Sequence, residues 1–175
     1  MRNVITQISE LPKKIFTPIR GQGAWLLRVA VLWLITGGVY YIIEGFWRTR
    51  TNGGWANITM LFIGGLCGVI IAILNENPKF RKKKMLVKAL YGMAILVVIE
   101  FISGYIMNIW LGLGIWDYSS RPFNFMGQVS LLYAVLWFLL TPTIIWFDDV
   151  LRRRIWNDGE KYPWHQNYLE LVKLK

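Results

Sequence analysis

Glu100 stands near the middle of ILVVIEFISGYIMNIW, residues 95–110, in a stretch otherwise apolar almost throughout. A carboxylate facing lipid at that depth costs several kcal/mol, so it is expected to face protein or a water-filled cavity. At about 100° per residue, Glu100, Gly104 and Asn108 fall on one side of a helix. Such a stripe can hold a proton, a solute or a lipid headgroup, or it can be satisfied by hydrogen bonds between helices. Two further groups bear on the same chemistry. Glu44 and Arg48, one helical turn apart in YYIIEGFWR, have the spacing of an ion pair at a membrane interface. Asp117, Asn124 and Gln128 lie in WDYSSRPFNFMGQ, which has unusual aromatic weight for a loop.

These residues must be positioned by membrane-spanning helices. The chain is 55% hydrophobic and 15% aromatic over 175 residues, values ordinary for a helical membrane protein and high for a soluble one. Segments 24–46, 56–74, 86–111 and 128–147 are each apolar over about the 20 residues a bilayer requires. The predicted fold is therefore all-α, four transmembrane helices in a compact bundle, with a structured aromatic outer loop between the third and fourth. The expected organisation is a basic N-terminal segment, 1–22, a transmembrane domain, 23–147, and an amphipathic or polar tail, 148–175. The first apolar segment is too long for a secretion signal and lacks a cleavage site, so it is expected to remain.

The net charge of +10 is unevenly placed. Arg2, Lys13, Lys14 and Arg20 precede the first span, Lys79, Arg81, Lys82, Lys83, Lys84 and Lys88 follow the second, and Arg152, Arg153 and Arg154 follow the fourth. Four crossings put these regions on one side, and the positive-inside rule makes that side the cytoplasm, with both termini inside. The charge is thus assigned to topology and anionic membrane lipid rather than nucleic acid. Cys67 and His165 are the sole cysteine and histidine, which argues against a disulfide or a His/Cys metal site, and no cofactor is expected.

Each span carries a small or polar stripe. In the second, Asn57, Gly64, Gly68 and Asn75 align, and Gly64-x-x-x-Gly68 permits close helix packing, as Gly104 does in the third. In the fourth, Gln128, Tyr133, Thr141 and Thr143 are polar and Pro142 removes a backbone donor. Four stripes facing inward predict a polar seam. The outer loop is expected to close over the bundle, bringing Asp117 and Asn124 to Glu44 and Arg48 beneath Trp116 and Phe123, because buried rings bring polar neighbours that need partners.

The blocks YYIIEGFWR, GGLCG followed by LNE, EFISGYIMNIWLGLGIWDYSSRPFNFMGQ, and LWFLL before DD resemble the bacterial ABC-transporter type IV (CmpB-like) permease membrane family, over residues 39–152. The resemblance implies a multi-pass protein of the bacterial inner membrane acting as a transport component. It lays the family signature on Glu44, Gly45, Trp47, Asn75, Glu76, Glu100, Asn108, Trp116, Asp117, Tyr118, Asn124, Gln128, Asp148 and Asp149, among others. No G-x-x-x-x-G-K-[ST] occurs, so a permease of this kind would need a separate ATPase subunit. Four spans would also need oligomerisation to enclose a path. Two other readings compete: a membrane-embedded enzyme using Glu44, Asp117 and Glu100 as acid and base on a lipid or prenyl-linked substrate, and a non-transporting scaffold.

Overall fold

A computed structural model describes residues 22–51 and 54–173. The basic residues expected before the first span, Arg2, Lys13, Lys14 and Arg20, lie outside the described residues. Helix α1 spans Gln22–Thr51 and α2 spans Thr59–Glu76. The short α3 covers Pro78–Arg81, α4 covers Met85–Gly104, α5 covers Leu131–Trp156 and α6 covers His165–Val172. Four of them are long and apolar enough to cross a membrane. The expected all-α, four-span architecture is therefore present.

Local chemistry sets the boundaries. Helix α1 runs five residues past the predicted end because Arg48 pairs with Glu44 at 2.7 Å and Thr51 bonds back to the Trp47 carbonyl. Helix α2 ends at Asn77, held extended by the proline that follows. The Asn77 side chain then accepts from the Lys79 amide at 2.9 Å, starting α3 with Pro78 in its first turn. Helix α4 widens into a π-helix over Tyr105–Trp110. Gln128 is not in the fourth span: Asn124–Phe125 (β1) and Val129–Ser130 (β2) pair antiparallel, and α5 starts only at Leu131. Left-handed backbone at Met126 and Gly127 makes that reversal. Helix α5 passes through Pro142 and continues to Trp156, where Asn157, at φ 55°, ends it in the left-handed conformation.

The helices associate as two tight pairs, α1 with α2 and α4 with α5, which meet each other more sparsely. In the first pair, backbones come together at Gly37, where an added Cβ would strike the Leu61 carbonyl and approach the Gly65 amide nitrogen to 3.1 Å. Gly64 and Gly68 make room for Tyr40 and Thr36 of α1. In the second pair Gly92 receives Thr141. Gly104 serves a different purpose from its predicted helix-to-helix contact, since a Cβ there would meet Gln128 Oε1 at 2.6 Å and the Trp116 ring at 2.9 Å. It admits the loop.

Apolar cores close both ends of the bundle. At one end Ile71, Phe80, Met85, Ala89, Ile145 and Leu171 pack together, so the tail helix α6 is part of the core rather than a solvated extension. Its Asn167 donates to the Pro142 carbonyl at 2.8 Å and its Tyr168 to the Leu139 carbonyl at 2.8 Å, pinning α6 to α5 beside the proline. At the other end Ala56, Met60, Ile115 and Trp116 form a cluster that seats the loop between α4 and α5.

Candidate functional site

Glu100 is 9% exposed and lies 15 residues along the 26-residue span Met85–Trp110. Tyr118 of the loop between α4 and α5 donates its hydroxyl to Glu100 Oε1 at 3.1 Å, and Trp137 of α5 donates its indole N–H to Oε2 at 3.0 Å. Both donors are neutral. Around them, the Tyr133 ring stacks on Tyr118 at 4.3 Å and Tyr40 of α1 approaches Trp137 at 6.1 Å. Each carboxylate oxygen is satisfied, yet among the described residues no Lys or Arg forms an ion pair with Glu100. Burial raises the Tyr118 hydroxyl above its usual range.

Two turns further on, Asn108 organises the loop. Its amide nitrogen donates to the Trp116 carbonyl at 2.9 Å and to Gln128 Oε1 at 2.8 Å, while its oxygen accepts from the Ile115 amide at 2.6 Å. The Trp116 indole donates to the Gln128 carbonyl at 3.0 Å. Arg48 reaches the same loop from α1, donating to the Ile115 carbonyl at 2.9 Å while held by Glu44. Glu44, Arg48, Asn108 and Gln128 are thus joined through the backbone at Ile115 and Trp116.

Asp117 and Asn124 stand apart from that network. Asp117 is exposed and accepts from the Ser119 amide and hydroxyl, which hold its carboxyl below the usual range. Asn124 is half-buried and turns inward on the loop, donating to the Arg121 carbonyl at 2.8 Å and accepting from the Gly127 amide at 3.0 Å. Phe123, expected to roof the cluster, is 82% exposed, whereas Trp116 is 9% exposed. The loop does fold over the bundle, but the residues it delivers are Ile115, Trp116 and Tyr118. The reason is register: the turn at Tyr118–Arg121 and the β1–β2 reversal leave 117, 119–123, 125 and 126 exposed and fold Asn124 back on the loop itself.

A second polar cluster lies at the opposite end. Asn75 donates to Asp148 at 2.8 Å, Tyr162 donates to Asp149 at 2.8 Å, and Arg152 bonds Asp158 at 2.9 Å. Arg28 of α1 pairs with Glu76 at 2.7 Å and sits over the Trp156 ring at 5.1 Å, tying both helix pairs together. Asp148, Asp149 and Arg152 are buried, and a polar cavity of about 60 Å³ beside Asn75, Arg81, Asp149 and Tyr162 has room for water. The Arg152 hydrogen bond holds the Asp158 carboxyl below its usual range, and burial raises the Tyr162 hydroxyl. Among the described residues no group of three His, Cys, Asp or Glu side chains is placed to hold a metal.

Sequence reasoning had not singled out Tyr40, Trp137, Tyr162 or Asn167 as site residues. Trp137 carried a usable signal: an indole in the middle of a span, away from the interface, needs an acceptor for its N–H. The proximity of Tyr40 and of Tyr162 depends on tertiary packing and leaves no local trace.

An all-α integral membrane protein, four spans in two helix pairs with a loop tied to an intramembrane carboxyl, is the class this fold and site define. A family model described as "Putative ABC-transporter type IV" matches residues 31–167, and the chain belongs to that family. No solved structure matches it.

Proposed function

We propose that this chain is a membrane component of a transport system, permease-like and dependent on a separate ATPase subunit, with Glu100 on the solute path. The observation that carries this reading is a buried carboxyl deep in a span, held by neutral donors alone. Intramembrane ionisable groups of this kind mark ion and substrate pathways, because their desolvation cost is retained only for a use. Neutral hydrogen bonds also release more readily than a buried ion pair, whose separation leaves an uncompensated charge. The family description adds the transport class.

The end bearing exposed Lys82, Lys83 and Lys84 is assigned to the cytoplasm of the bacterial inner membrane by the positive-inside rule, and the ATPase contact to α3, the following lysines and α6. The apolar face of α1 formed by Val39, Ile42, Ile43 and Phe46 is exposed and is assigned to lipid or a second copy that completes the path. Glu44, Arg48, Asn108 and Gln128 act as the latch that seats the outer loop, and Asp117 and Asn124 shape its outer surface.

The test is a deletion strain profiled for altered solute accumulation and complemented with Glu100 variants. Glu100→Asp is expected to restore the profile in part and Glu100→Leu to fail, with both proteins at wild-type levels in the membrane. Full restoration by Glu100→Leu would remove Glu100 from the path.

A further inference from the structure

We infer that the Glu100 seam recognises an organic cation, a solute bearing an ammonium group that replaces Tyr118 and Trp137 as the partner of the carboxylate. This names the substrate class of the transport reading and rests on it. The first reason is charge. Among the described residues Glu100 has no cationic partner, and the adjacent Glu44 is already closed on Arg48 at 2.7 Å. An anionic solute would meet an uncompensated carboxylate in a medium that screens little.

The second reason is the wall around it. Tyr118 and Trp137 bond the carboxyl, Tyr133 stacks on Tyr118 and Tyr40 packs beside Trp137, so four rings gather around this place. Ring faces attract ammonium groups, more strongly when desolvated, and aromatic cages with a nearby anion are the recurring solution for quaternary ammonium. A metal ion such as calcium demands six to eight oxygen ligands, which this ring-lined site does not offer.

The third reason is access. Tyr40 belongs to α1 and Trp137 to α5, so the rings straddle the boundary between the two helix pairs, where contact is sparsest. Tyr118 arrives on the outer loop, so displacing its hydroxyl from Glu100 and lifting the loop are one movement.

The ammonium can come from a free solute or from an ethanolamine lipid headgroup, and two arms separate these. Full-length protein in nanodiscs of phosphatidylglycerol is titrated with radiolabelled tetraethylammonium. In parallel, protein in nanodiscs containing phosphatidylethanolamine is examined by native mass spectrometry for retained lipid. Saturable binding at about 1 mM or tighter in the first arm, or selective retention of the ethanolamine lipid in the second, supports the site and identifies its source. Glu100→Gln should weaken that binding by a factor of about 10 and Trp137→Leu by a factor of about 3, while Glu170→Gln on α6 leaves it unchanged. Absence of both signals in folded wild-type protein, or equal binding by Glu100→Gln, overturns the inference. A Glu100-dependent solute defect without ammonium binding leaves transport standing and removes the cation. Glu100-dependent binding without any solute defect does the reverse.

Discussion

At the scale of single residues, the end of the bundle under the α4–α5 loop is decided by Asn108 rather than by the charged residues near it. One side chain satisfies the Ile115 amide and the Trp116 carbonyl and also engages Gln128, groups that the loop buries and that have no helical partner. Asn108→Leu strands them, at about 1–3 kcal/mol for each buried group left unpaired. We therefore expect a large drop in the thermal midpoint of the detergent-solubilised protein, followed by intrinsic fluorescence. Asp117→Ala, which removes bonds confined to Ser119 on the exposed side, should lower it much less. Equal losses would mean that Asp117 has inward contacts. The polar seam was legible because apolar spans make every polar side chain conspicuous, and Glu100, Asn108 and the Glu44–Arg48 pair were all found that way. The Asp117 and Asn124 placement was not legible, because left-handed backbone at Phe123 and Met126, unusual outside glycine, sets which loop side chains turn inward.

At the scale of elements, each helix pair has its own device for close approach. The α1–α2 pair depends on Gly37, where a methyl group would meet main-chain atoms that cannot rotate away. Its neighbour Gly38 has open space around the corresponding position. Gly37→Ala should destabilise by about 1–3 kcal/mol, as overpacking does, whereas Gly38→Ala should be neutral or stabilising by up to about 1 kcal/mol through helix propensity. Thermal unfolding of the two variants side by side checks this, and a reversed order would refute the backbone contact. The spans themselves were readable from hydropathy, since each must supply about 20 apolar residues regardless of tertiary context. Helix α6 was not, because its apolar Leu169, Leu171 and Val172 are few and its anchoring relies on carbonyls near Pro142 that only the folded α5 presents. The start of α5 was misplaced by three residues for a related reason: a two-residue strand pair is too short to interrupt an apolar run visibly.

At the scale of the whole molecule, two helix pairs pack less closely against each other than within themselves, and they are fastened at both ends. Arg28, Glu76 and the residues around Asp158 fasten one end, and Arg48 with the loop at Ile115 fastens the other. Glu100, Trp137 and Tyr40 sit on the boundary between the pairs, so transport past Glu100 requires that this boundary open to water. Single cysteines in a Cys67→Ser background test this without knowledge of the solute. Leu96, Ser103 and Met107 share the Glu100 side of α4, whereas Val98, Ile102 and Ile109 are exposed on its outer face. In native membranes, a membrane-impermeant methanethiosulfonate is predicted to modify cysteines at 96, 103 and 107 and to spare those at 98, 102 and 109. If a cysteine at 120 in the loop between α4 and α5 reacts while none of the three seam positions does, the seam is sealed packing and Glu100 lies on no path.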